Sequence, residues 1–332
     1  MPDVQIHRRL LIATASCAAC TWPLIAVSAS RMRHLGIMMQ LPESSAEGQL
    51  RIKAFLGAFG RLGWNEGRNV RIDYRWTAGN RELLDSYARE LVDADPDALL
   101  AGNGEVARAL QRVTRVIPIV FAETIDPVVD GLVAELAHPG GNITGFMMFE
   151  TSLAGKWLEL LRALKPDVKV VAVMYDPTVP ASRTLLPTVA QAASAAGLQV
   201  SISAVSDETD IKQFFESAQY VPGSGAIQLP GSIMGRYRNL IVKLAAESRL
   251  PMIYGLRDNT VRGGLASYGV DSVQLYEQAA SYVDRVLKGE KPADLPVQAA
   301  TRYELVINLK AAKQLEIEPS PALLARADEV IE

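Results

Sequence analysis

From residue 34 onward, short apolar runs rich in β-branched residues alternate with stretches whose apolar positions recur at helical spacing. That alternation predicts a mostly parallel sheet covered by helices. "HLGIMM" reads as a first strand, and the segment behind it places Leu50, Phe55, Phe59 and Leu62 on one helical face. Gly63 to Gly67 then form a turn, and "NVRIDYRW" alternates as a second strand. A helix, the strand "DALLA", another helix and the strand "VIPIVF" complete a four-strand run.

Pro139, Gly140 and Gly141 in "AHPGGNITGF" interrupt the pattern, which restarts with a helix over residues 152–164. Strands follow at "VKVVAVMY", "LQVSISAV", "GAIQL" and "PMIY", separated by amphipathic stretches. Beyond them come the strand "GGLASYGV", the long helix "DSVQLYEQAASYVDRVLKG", the polar connection "GEKPADLP", a strand near "YELVINL" and a short helix. Two similar runs plus an extra strand and helix predict two α/β lobes, with the chain crossing back between them and a ligand cleft in the gap. The expected limits are 30–145 plus 265–290 for the first lobe and 146–264 plus 291–332 for the second.

With 332 residues, 49% of them apolar, the chain can bury the cores of about two domains. Its formal net charge is −3 and its cations are scattered among acids, so it has no basic footprint for nucleic acid. "HRRLLIATASCAACTWPLIAVSAS" reads as an export signal: Arg8 and Arg9, an apolar stretch, then Val27 and Ala29 at a cleavage site. Residues 1–29 are therefore expected to be removed, leaving a periplasmic chain. Cys17 and Cys20 both lie in this segment, as does the Arg8-Arg9 pair, leaving a lipid anchor and twin-arginine export open. A mature chain would hold no thiol for a disulfide, a metal or catalysis.

No G-x-S-x-G, Walker A, H-E-x-x-H or Cys/His metal spacing occurs, so no metal or cofactor is expected. Outside the signal the histidines are His34 and His138, too few for a convincing triad and both read as ordinary surface or turn residues. "AGNGEVA" spells G-x-G-x-x-A, with Glu123 where a ribose-binding acid would stand, but it follows the third strand whereas the dinucleotide fingerprint follows the first. A helix N-terminus shaped for a small anion and a plain tight turn both explain its glycines.

Open α/β sheets bind ligands beyond the carboxyl ends of their strands. The loops in that position supply Met39, Gln40, Gly102, Asn103, Gly104, Glu123, Thr124 and Asp126 from the first run. Tyr175, Asp176, Ser182, Pro230, Gly231, Ser232, Tyr254 and Tyr268 come from the second, the tyrosines as faces for an aromatic ring. Asp126 before Pro127 also reads as an ordinary helix N-cap, and Asp176 before Pro177 as a turn starter. Candidate hinges are Gly145 and Phe146, Gly263 and Gly264, and Leu295 to Gln298.

"FGRLGWNEGRNVRIDYRW", "IPIVFAETIDPVVDGLVAELAHPGGNITGF", "LPMIYGLRDNTVRGGLASYGVD", "YVDRVLKGEKPADLPVQ" and "YELVINLKAAKQL" together resemble solute-binding proteins of ABC transporters, of the type that includes tryptophan and tyrosine binders. The resemblance runs from about residue 33 to 332. It implies the type I periplasmic binding fold, two Rossmann-like lobes joined by three crossovers, and a component that traps a small solute and delivers it unchanged to a membrane permease. The glycine-containing loops with acids and tyrosines nearby suit an amino acid or aromatic acid, and a monomer is expected. "YDPTVPAS" departs from the family's N-P-x-N-P-x-S, with Asp176 and Val179 in place of the two asparagines. A ligand-binding sensor domain, or an enzyme using Glu123, Asp126 or Asp176 as acid or base, are the alternative readings.

Overall fold

The computed structural model describes residues 31–148, 153–219 and 221–332; the expected signal at 1–29 lies outside the described residues. The chain opens with β1 (Arg33–Met39), α1 (Ala46–Arg61), β2 (Val70–Trp76), α2 (Arg81–Asp93), β3 (Ala98–Ala101), α3 (Gly104–Val113), β4 (Ile119–Thr124) and β5 (Ile143–Met147). It continues through α4 (Leu153–Leu164), β6 (Val170–Tyr175), α5 (Pro180–Ala195), β7 (Gln199–Ala204), α6 (Glu208–Gln219), β8 (Ser224–Gln228), α7 (Ser232–Arg236), α8 (Arg238–Glu247), β9 (Met252–Tyr254), α9 (Arg257–Val261) and β10 (Ala266–Val270). The last part holds α10 (Ser272–Leu287), β11 (Gln298–Ala299), β12 (Tyr303–Asn308), α11 (Leu309–Gln314), α12 (Pro321–Leu324) and β13 (Glu329–Ile331).

These strands form two sheets. The first runs β11-β5-β4-β3-β1-β2 and is parallel throughout; the second runs β13-β12-β10-β9-β8-β6-β7, with β10 and β12 its antiparallel neighbours. The chain leaves the first sheet after Met147, returns after Val270 and leaves again after Ala299, which makes three crossovers.

The crossings correct several expectations. Residues 265–290 were assigned to the first lobe, yet β10 pairs with β9 and β12 of the second sheet, and only α10 goes back to pack on α1. Residues 146, 147 and 291–299 belong with the first lobe. β5 runs to Met147, the Thr144 hydroxyl donates to the Leu295 carbonyl (2.6 Å), Val297 N donates to the Leu136 carbonyl (2.7 Å), and β11 pairs with β5. Gly145 and Phe146 therefore lie inside β5, and Gly263 and Gly264 lie before β10 within the second lobe, away from the second crossing. Leu295 to Gln298 precede the third crossing on the first-lobe side.

Helix α1 shows how the pattern becomes packing. Ser45 caps it by accepting from Gly48 N (3.3 Å), and Ile52, Phe55 and Phe59 form its buried stripe. Phe55 stacks on Phe59 and Phe59 on Trp64, whose indole N–H donates to Asp284 of α10 (2.8 Å). Each fully buried ring contributes about 1.5–3 kcal/mol through burial. The expected face was rotated: Leu50 and Leu62 are 50% and 41% exposed, because the inward stripe runs through Arg51 instead.

Two elements differ from the sequence pattern. Strand β5 forms directly after the Pro139-Gly140-Gly141 break, where a turn was expected to lead into the next helix. No helix follows Asp126. Its Oδ1 accepts from Val128 N and Val129 N (3.0 and 3.1 Å), as a cap would, but Leu132 N turns back to the Pro127 carbonyl and the segment stays irregular to residue 142.

Candidate functional site

Loops at the carboxyl ends of strands from both sheets enclose a cavity of about 250 Å³. A single water needs roughly 10–15 Å³, so the space suits a small molecule. Gln40 after β1, Asn103 and Gly104 after β3, and Glu123 and Thr124 at the end of β4 line it from the first lobe. Pro230, Gly231 and Ser232 after β8 line it from the second.

The glycine pair of "AGNG" belongs to this wall. Asn103 caps α3, its side chain accepting from Val106 N at 3.0 Å, so its amide oxygen is committed to the helix. A Cβ at Gly104 would stand 2.8 Å from Thr124 Oγ1, which explains glycine there by close approach. Gly102 sits behind the wall, its carbonyl accepting from the Tyr276 hydroxyl (2.8 Å), and Met39 is buried beside the same hydroxyl.

The other expected site residues do not line the cavity. Asp176 is fully buried: Oδ1 accepts from the backbone N–H and hydroxyl of Thr178 (2.9 and 2.6 Å), and Oδ2 accepts from Ile233 N (3.0 Å). It ties the β6 loop to the start of α7. A Cβ on Gly231 would lie 2.5 Å from the Asp176 Cβ, so the two are fitted to each other. Ser182 donates to the Pro230 carbonyl (2.9 Å) and holds the same loop from behind.

None of the three tyrosines reaches the cavity either. Tyr254 is buried in the second lobe, Tyr268 stacks on Tyr303, and Tyr175 packs half-buried on the core. Asp126 is spent on its own turn.

What the sequence pattern missed is a buried ionic cluster in the cavity wall. Arg51, 4% exposed, meets Glu47 at 2.8 Å, Glu123 at 3.2 Å and Asp258 at 3.1 Å, and also donates to the Ser272 hydroxyl. Arg238 adds 2.6 Å to Glu47 and 4.0 Å to Asp258. Taking charges out of water is costly, and mutual pairing offsets that cost. Burial opposes the charge on Arg51 but is outweighed by Glu123, Glu47 and Asp258, so its pKa is raised. Burial pushes the Glu47 carboxyl up to about 7 against the pull of Arg51, and it raises Glu123 in the same way. Burial pushes Asp258 up, but Arg51, a hydrogen bond with Glu47, Arg238 and Arg257 together outweigh it and hold the carboxyl below its ordinary value.

Several of these contacts join the lobes. Glu47–Arg238 and Arg51–Asp258 bridge them through the cluster. At the rim, Arg81 donates to the Thr178 hydroxyl (3.1 Å) and Arg236 to the Gly79 carbonyl. The lobes are thus closed on the cavity. A readable signal for part of the cluster was Glu47 and Arg51, spaced i,i+4 on the buried stripe of α1, where charges need partners.

Two α/β lobes, three crossovers and a cavity lined by both sheets define the type I periplasmic binding fold. Residues 47–331 match the ABC transporter substrate binding protein family, and the chain belongs to that family. It is 27% identical over 274 residues to a tyrosine-binding protein of Clostridioides difficile, across 80% of this chain and 76% of that one. A conserved domain protein of Vibrio cholerae superposes with a TM-score of 0.83 at 28% identity, covering 90% of this chain and all of that one. A domain from Streptococcus pneumonia in complex with L-Trp gives 0.83 at 26% identity, covering 90% and 99%. Among the described residues, no helix is long and apolar enough to cross a membrane, and no group of three or more His, Cys, Asp or Glu could hold a metal ion.

Proposed function

We propose that this chain is the exported, monomeric solute-binding component of an ABC importer. It captures a small solute, an amino acid or aromatic acid, between its lobes and delivers it unchanged to a permease in the inner membrane. The observation that carries this reading is the cavity itself: both lobes wall it, and ion pairs from each side close it. Family membership supports transport, and the tyrosine-binding and L-Trp-bound relatives support the solute class. Residues 1–29 supply the export step in this reading, with release by cleavage near Ala29.

The charged groups of the cavity wall favour holding over chemistry. Glu47, Glu123 and Asp258 are each engaged by a guanidinium, an arrangement that fixes polarity and leaves each acid tied to a partner. Capture adds stability by mass action: a solute at 100 times its Kd adds about 2.7 kcal/mol to unfolding. A thermal-shift screen of amino acids, aromatic acids and other small nutrients tests this, with mass spectrometry of the recovered solute. A raised Tm with an unaltered solute is expected; no shift from any solute, or a chemically altered one, overturns it.

A further inference from the structure

The cluster in the cavity wall does not balance. Glu47, Glu123 and Asp258 bring three carboxylates to two guanidinium groups, Arg51 and Arg238. Of the remaining acids of the wall, Asp130 is charge-paired with Arg108 (3.1 Å), although its Oδ1 also lacks a hydrogen bond, and Glu105 stands 3.7 Å from Arg81. Arg236 is exposed at the rim, donating to a carbonyl. The excess negative charge therefore sits with the buried cluster.

Glu123 is where that excess opens on the cavity. It is 3% exposed and lines the space; Oε2 accepts from Arg51, and the Ser272 hydroxyl stands near enough to favour the charged carboxylate. Oε1 has no hydrogen-bond partner among the described residues. A buried carboxylate oxygen without a donor is unfavourable, and a cationic donor relieves both the missing bond and the surplus charge. The groups facing it are Glu47 and Arg51 from α1, Arg238 from α8, Asp258 from α9, and Ser272 and Tyr276 from α10. Of these, only the two arginines carry positive charge.

We propose that the solute supplies the third cation: a protonated amine docks on Glu123 Oε1, and the site selects amine-bearing acids over the same acids without the amine. This rests on the solute-binding reading and narrows its ligand class. The elevated pKa of Glu47 and of Glu123 fits the same surplus, since a bound proton relieves it as an ammonium does.

The test uses the whole chain and a panel of the standard L-amino acids, each beside the carboxylic acid lacking its amine; for L-tryptophan that acid is indole-3-propionate. Sugars and other amine-free nutrients complete the panel. Thermal shift finds binders and isothermal titration compares each pair. An amino acid that binds at least tenfold tighter than its amine-free counterpart supports the proposal. An amine-free acid binding as tightly, or binding by sugars alone, overturns it while the transport reading survives; no binder at all ends both. Glu123→Gln balances the cluster at two against two and should narrow the preference for the amino acid over its amine-free counterpart at least tenfold, since the lost carboxylate both holds the ammonium and repels the charge of the amine-free acid. Equal loss for both members of a pair would contradict the assignment, and the paired comparison on the unaltered chain stands whether or not the variant folds.

Discussion

The two lobes end their strands with acids of similar appearance and opposite use. Asp176, after β6, has both oxygens saturated by its own lobe, through Thr178 and Ile233. Glu123, at the end of β4, meets Arg51 with one oxygen and leaves the other without a hydrogen bond at the cavity wall. Position after a parallel strand made both acids candidates. Saturation separates them: an acid whose lone pairs are filled by backbone N–H groups is a structural strut, and one with an oxygen left over can meet a ligand.

Four outcomes sharpen or break that contrast. The largest effect belongs to Arg51→Ala, which leaves Glu123 without a cation and Glu47 and Asp258 with Arg238 alone; losing one partner of a buried ion network costs about 3–5 kcal/mol. Urea unfolding measures it, and a loss below about 1 kcal/mol would mean the cluster behaves as if exposed. Next is Asp176→Ala, which leaves two backbone N–H groups without an acceptor at roughly 1–3 kcal/mol for each buried orphan. Asp176→Asn keeps one acceptor oxygen and should recover part of that loss; if the asparagine variant instead abolishes solute binding at full stability, Asp176 has been misassigned as a strut.

The third outcome is a pH dependence. Glu47 has its pKa raised from 4.5 to about 7 by burial, so the folded chain holds its proton where the unfolded chain does not. Its contribution is fully present below about 4.5 and is lost as pH rises through about 7. Glu304, also raised to about 7 by burial, acts in the same window, while Asp258, lowered against its burial by Arg51, Glu47, Arg238 and Arg257 together, contributes in the opposite direction at acid pH. Comparing the chain with Glu47→Gln isolates the cluster: the variant should show a shallower decline in stability between pH 5 and 7, and parallel curves would contradict it. The smallest effect is Arg81→Ala at the rim. Its side chain is 57% exposed and reaches Thr178 across the cleft, so unfolding should change by about 0–1 kcal/mol, read by the same urea titration.

Much of the scaffold was legible because its strands are buried and short and its helices keep one apolar face. Strand β5 escaped because five residues directly after a Pro-Gly-Gly break carry too little period to outweigh the break. The face of α1 was read from its leucines, yet Leu50 points outward and Arg51 inward, a choice fixed by acids on β4 and α9 rather than by the helix itself. The loops of the site were legible from strand order, but which of their side chains turn toward the cavity was not. Tyr254 and Tyr268 were absorbed by packing, and Asp126 by its turn. Arg238 and Asp258 carried no local signal, since they join Glu47 and Arg51 only through contacts spanning about two hundred residues.

The most direct test of the central claim is equilibrium dialysis of the purified chain against a mixed panel of amino acids, amine-free acids and sugars. Retained material is then freed by denaturing the protein and weighed by mass spectrometry. Retention of a single amine-bearing solute per chain, at its original mass, is the predicted result. A chain that retains nothing, or yields a solute of altered mass, would contradict the account.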